Sequence, residues 1–118
     1  MNVLEKKIRR ERRKKHIRKK IRGTASRPRM TIYKSNKHLY IQVIDDDIAN
    51  TLVSASTVEK ELRNLKNKKE DAEKLGKIIG ERLKKAKISE VIFDRNGYIY
   101  CGLIKAVADA ARKEGVNF

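Results

Sequence analysis

Tryptophan is absent from this 118-residue chain, and proline and cysteine occur once each, as Pro28 and Cys101. A single cysteine excludes an intrachain disulfide, so nothing calls for an oxidising compartment. Beside its apolar neighbours the lone thiol reads as packing. No run approaches the roughly eighteen consecutive apolar residues that span a bilayer, and the N-terminus lacks an apolar stretch of signal-peptide length. A soluble protein that stays where it is made is the expectation. Also missing are a glycine-rich phosphate loop with its lysine, a His/Cys metal spacing and a nucleophile paired with a base. No cofactor, no metal and no small-molecule substrate are therefore expected.

Acidic residues are scarce at one end. Residues 1–29 carry 14 Lys/Arg against 2 Asp/Glu, while the rest of the chain carries 17 against 13, so most of the net charge of +16 lies in the first quarter. A block of like charge repels itself and has little apolar area to offset the entropy of ordering, which favours disorder. Yet Arg12, Arg13, Arg18 and Arg22 stand among Lys14, Lys15, Lys19 and Lys20. The planar guanidinium fork matches phosphate oxygens two at a time, and each phosphate neutralised releases counterions. The arm is thus expected to contact nucleic acid, with His16 as a further polar contact.

A basic amphipathic helix could instead lie on an anionic membrane. At about 100° per residue, Leu4 and Ile8 fall near 0° and 40°, and Ile17 and Ile21 near 220° and 260°. A single helix would have no apolar face for lipid, so the segment is either surrounded by phosphates or bends between Ile8 and Ile17. Gly23-Thr24-Ala25-Ser26 ends any helix, and Arg27-Pro28-Arg29 forces an extended entry to the first strand. This divides the chain into an arm, 1–28, disordered or helical on RNA, and a single domain, 29–118.

In the domain, RMTIYK (Arg29 to Lys34) and HLYIQVI (His38 to Ile44) alternate with period two and flank Ser35-Asn36-Lys37, so they read as a hairpin. Leu39, Ile41 and Val43 share one face and Tyr40, Gln42 and Ile44 the other. Asp45-Asp46-Asp47 makes the next turn, and Thr51 to Ser56 a third antiparallel strand. Ser56 and Glu59 have capping-box spacing, which predicts a short helix. A longer helix comes next: Ala72, Leu75, Ile79, Leu83 and Ala86 form its stripe, Ile78 broadens it, and Asn67 is the expected cap. Gly76 and Gly80 beside the stripe predict close approach of another backbone. Glu90 to Asp94 reads as a strand reached by a crossover and hence parallel to a neighbour. Arg95-Asn96-Gly97 is a turn from which Tyr98, Ile99 and Tyr100 extend, and an alanine-rich helix stops at Gly115. Three antiparallel strands, helix, strand, helix predict an α/β domain with helices packed on a mixed sheet, preceded by the basic arm.

Asp45, Asp46, Asp47 and Asp94 invite a nuclease reading, since carboxylates at strand ends bind magnesium. Three consecutive aspartates point in different directions, however, and aspartate is common in turns anyway. Tyr33, Tyr40, Tyr98 and Tyr100 lie near Lys34, Lys37, His38 and Arg95, a pattern suited to unpaired bases stacking on rings while cations hold the backbone. Core packing of two or more of these rings is the competing reading.

The segments RKKIRGTASRPRMTIYKSNKHLYIQVIDDD, TLVSAST, VIFDRNGYIYCG and KAVADAARKEGVNF closely resemble the bacterial large-ribosomal-subunit protein eighteen family, which binds 5S rRNA. The most distinctive are GT-x-x-RPR, SNKH and FDR-x-GY-x-Y, and the resemblance covers essentially the whole chain. It implies a non-catalytic protein that binds 5S rRNA and helps attach it to 23S rRNA in the central protuberance, beside other proteins of the 5S particle. It makes the arm, notably Arg18, Lys19, Lys20 and Arg22, an RNA-inserting extension. Arg27, Arg29, Lys34, Ser35, Asn36, Lys37, His38, Arg95, Tyr98 and Tyr100 are the further RNA-facing candidates that it implies. Where the family commonly reads YHGRVKALADAAR, this chain has Tyr100-Cys101-Gly102-Leu103-Ile104-Lys105, so site roles are not carried over from Cys101 to Ile104.

Overall fold

The computed structural model of the chain describes all residues except 1, 36, 60, 61, 63, 64, 66, 67 and 99–101. Its elements run α1 (Val3–Lys20), β1 (Arg29–Lys34), β2 (Leu39–Asp45), β3 (Asn50–Ser56), α2 (Lys69–Lys85), β4 (Ile92–Asp94) and α3 (Gly102–Lys113). The sheet has the order β3-β2-β1-β4. The three strands of the meander are antiparallel, and β4, reached through α2, lies parallel to β1. The α/β architecture read from the sequence is therefore the observed one, with a mixed sheet.

Alternation in the strands decides which face the helices cover. Met30, Ile32, Leu39, Ile41 and Val43 are fully buried and form one core with Leu75, Ile79 and Leu83 of α2 and Ile104 and Val107 of α3. Full burial of one such side chain contributes roughly 1.5–3 kcal/mol, whereas an exposed pair such as Lys84–Glu114 contributes about 0–1. Apolar packing, not surface charge, holds α2 and α3 to the sheet. Gly76 is where the two helices meet: a Cβ there would lie 2.5 Å from the Val107 carbonyl oxygen and 2.8 Å from Ala110 Cβ. The close approach expected from the glycine pair is real.

Several boundaries differ from the sequence reading. The cap of α2 is Lys68, which makes no side-chain capping bond, and Asn67 lies outside the described residues. Ala86 is an exposed C-cap, not part of the buried stripe. The Ser56 amide donates to Glu59 Oε2 at 2.9 Å, half of a capping box, but residues 57–59 form a turn, and the helix expected beyond falls largely outside the described residues. Strand β4 covers only Ile92–Asp94, while Glu90 forms a parallel bridge with Asn117. The extension expected at Ile99 and Tyr100 also lies outside the described residues, and Tyr98 is a bend.

The face of the sheet opposite α2 and α3 carries three rungs of paired residues: Arg29 with Ile44, Thr31 with Gln42, and Tyr33 with Tyr40. Along one side of this face runs α1, an uninterrupted helix from Val3 to Lys20. Asn2 caps it, its Oδ1 accepting the Glu5 amide at 2.8 Å, and Arg18, Lys19 and Lys20 sit near its negative end.

Candidate nucleic-acid interface

Helix α1 buries no residue, yet its cations are not equivalent around its circumference. Its inner stripe faces the turn after β4. Arg10 Nε donates to the Asn96 carbonyl at 3.3 Å and Arg13 Nε to the Gly97 carbonyl at 2.8 Å. Arg18 donates to Asp94 Oδ2 at 3.3 Å and to Asn96 Oδ1 at 3.0 Å. The Arg10 guanidinium lies 4.2 Å from the centre of the Tyr98 ring, a cation–π contact. Ile17 and Ile21 are half-buried on this side, and Leu4 and Ile8 are exposed on the other, which explains why the two apolar pairs fall on opposite faces.

The turn is built to receive the helix. Asn96 and Gly97 both take positive φ, 54° and 77°, a backbone that Asn-Gly adopts readily. A Cβ on Gly97 would lie 2.5 Å from the Arg10 carbonyl oxygen, so only glycine lets α1 approach this closely.

The outer face of α1 is different. Arg9, Arg12, Lys15, His16, Lys19 and Lys20 are all exposed. Of these, Arg12, Lys15, His16, Lys19 and Lys20 are candidates on the sequence alone. Arg9, like Lys6 and Lys7, is not among those candidates, although it shares the helical phase of His16 and Lys20. Lys14 is half-buried and lies 3.9 Å from Glu11. Of the remaining arm candidates, Arg13 and Arg18 turn inward, and Arg22, exposed, donates twice to Asp47 Oδ1 at 3.0 and 2.9 Å.

The two arginines of RPR separate sharply. Arg27 is exposed, whereas Arg29 is 9% exposed and holds two carboxylates. It grips both Asp46 oxygens at 3.0 and 2.9 Å and donates to Asp94 Oδ2 at 2.7 Å. Its strand position places Arg29 on the outer sheet face, where Asp46 and Asp94 engage its guanidinium. The hydrogen bonds that Arg29 donates to Asp46 raise its pKa further, against the opposing effect of burial. The Arg29 hydrogen bonds likewise hold the Asp46 carboxyl below its ordinary value, helped by the Gly23 amide at 2.7 Å.

The four aspartates considered for hydrolysis are all engaged by hydrogen bonds within the chain. Asp45 Oδ1 accepts the Asp47 amide at 3.0 Å, closing the turn, and Asp94 Oδ1 accepts the Asn96 amide at 2.8 Å. Asp46 and Asp47 are occupied by Arg29 and Arg22 respectively. Among the described residues no three metal-ligating side chains gather.

The hairpin end is compact. The Ser35 amide donates to the His38 carbonyl at 2.9 Å, and His38 Nδ1 lies 3.0 Å from Thr57 Oγ1. Lys34 and Lys37 are exposed. Tyr33 and Tyr40 pair across the strands at 5.8 Å between centres, with His38 edge-on to Tyr40 at 6.4 Å. The Tyr98 hydroxyl bonds the backbone of Lys34, and Arg95 donates to the Tyr98 carbonyl at 3.0 Å. Asn36 and Tyr100 lie outside the described residues. The structure therefore gathers the outer α1 cations, the hairpin end and the aromatic rungs on one side of the molecule. Leu103, where the resemblance leads one to expect arginine, packs against the core.

A model of the family described as ribosomal L18 of archaea, bacteria, mitochondria and chloroplasts matches residues 4–118. Large ribosomal subunit protein uL18 of Treponema denticola is 57% identical over 106 residues, covering 90% of this chain and 88% of that protein. The uL18 proteins of Treponema pallidum and Brachyspira hyodysenteriae are each 51% identical, covering 97% and 100% of this chain and 95% and 100% of their own lengths. With the observed fold, a match over nearly every residue and half or more of them identical, the chain belongs to the ribosomal L18 family.

Proposed function

We propose that the protein binds 5S rRNA and helps attach it to 23S rRNA in the central protuberance, beside other proteins of the 5S particle. Its family makes it a structural constituent of the large ribosomal subunit and not an enzyme. The observation that carries the finer reading is the sorting of cations on α1. Inward arginines fix the helix to the 94–98 turn, leaving Arg12, Lys15, His16, Lys19 and Lys20 outward with no acidic residue among them. Lys34, Lys37 and Arg95 extend this field toward the hairpin, Arg27 lies before the opposite end of β1, and Tyr33, Tyr40 and Tyr98 supply rings. Phosphate contacts of this kind give affinity and register, while folded RNA is recognised by shape and by its unpaired bases.

In this reading residues 1–28 are the arm and 29–118 the rRNA-binding domain. Because α1 is held mainly by polar contacts, its order is coupled to RNA. The test is competition between 5S rRNA and an unrelated duplex RNA of equal length at roughly physiological salt. At least about tenfold preference for 5S rRNA is expected. Equal binding would mean that the arm alone drives association, and would replace this reading with sequence-independent packaging.

A further inference from the structure

We propose that the groove between α1 and the open sheet face receives a single unpaired nucleobase of the bound RNA, with the adjoining phosphate on Lys14 and Arg18. The proposal rests on the rRNA-binding reading and adds a defined subsite to it.

The groove has a volume of about 260 Å³. That is below the roughly 300–1,000 Å³ of sites for drug-sized ligands, so it suits one planar ring and little more. Its floor is three rungs of the sheet, Arg29 with Ile44, Thr31 with Gln42 and Tyr33 with Tyr40, and its wall is the flank of α1 carrying Lys14 and Arg18, with Asn96 also in the lining. Tyr33 is 47% exposed, so one ring presents surface that a base can cover. Stacking on tyrosine accepts any base, because every base has a π-face. Gln42 brings a carboxamide with both donor and acceptor, able to pair with a base edge. The wall supplies two cations for the phosphate, and Arg18 remains 38% exposed despite its bonds to Asp94 and Asn96.

Thr31 is the independent sign of a ligand. The residue is only 8% exposed, it lines the groove, and its hydroxyl is the one buried side-chain polar atom among the described residues without a hydrogen-bond partner. Buried hydroxyls are nearly always paired, and this one, with almost no surface open to water, would meet a base edge once the groove widens slightly around the ligand. A base already paired in a duplex has its edge occupied and its faces stacked, so only an extruded one can enter.

The full-length Tyr33→Trp variant tests this directly, because the natural chain has no tryptophan. Addition of 5S rRNA is expected to quench its emission strongly. Thr31→Val, which removes only the unpaired hydroxyl, is expected to keep or raise the melting temperature. It should weaken 5S rRNA binding about three- to tenfold with the salt slope unchanged. Emission that stays constant while the Tyr33→Trp variant binds 5S rRNA would overturn the groove assignment and leave the rRNA reading intact. Loss of any 5S preference in the natural protein would overturn both.

Discussion

Arg27 and Arg29 stand two residues apart in the same RPR triplet, and in the sequence they are equals. In the folded chain one is exposed and the other is buried between two carboxylates. The partners that separate them, Asp46 and Asp94, are 17 and 65 residues away in sequence. Local spacing does not carry such a pairing, which is why Arg29 reads as an RNA contact and Asp94 as a metal-ligand candidate. Removing one partner of a buried pair leaves a charge uncompensated, at a cost of about 3–5 kcal/mol. Asp94→Ala is therefore expected to lower the melting temperature by on the order of 10 °C. Arg27→Gln should leave it nearly unchanged. Thermal unfolding followed by circular dichroism checks both, and equal effects would remove the distinction between them.

Among the elements, those with one strongly apolar face are the legible ones. The period-two strands and the stripe of α2 read close to their true limits, because burial of such faces overrides local detail. The cap of α2 does not, since Lys68 occupies it without the side-chain bond that identifies a cap in sequence. Helix α1 is harder for a different reason. Its charge argues for disorder, and its contacts with the carbonyls of Asn96 and Gly97 are ones that composition does not reveal. An element held by exposed polar contacts opens more readily than one packed in the core. In the free protein, α1 amides are expected to exchange hydrogen much faster than those of α2 and α3, and to gain protection on addition of 5S rRNA. Protection of α1 equal to that of α2 without RNA would show that the helix is ordered on its own.

At the scale of the molecule, the sheet separates two environments. One face is closed by α2 and α3 around the apolar core; the other carries the aromatic rungs and, along its edge, α1 with its outward cations. The order of elements is enough to anticipate the first face, because a crossover helix followed by a parallel strand leaves few arrangements. It says little about the second, where long-range contacts sort fourteen basic residues of the first 29 into structural and outward groups. That sorting is tested by measuring 5S rRNA affinity across a salt series for the natural protein and for the combined Arg12→Gln, Lys15→Gln, Lys19→Gln variant. Every phosphate that the variant no longer neutralises should flatten the log–log slope by about 0.7–0.9, so a reduction of roughly 2–3 is expected at an unchanged melting temperature. An unchanged slope would contradict the assignment of this face to RNA.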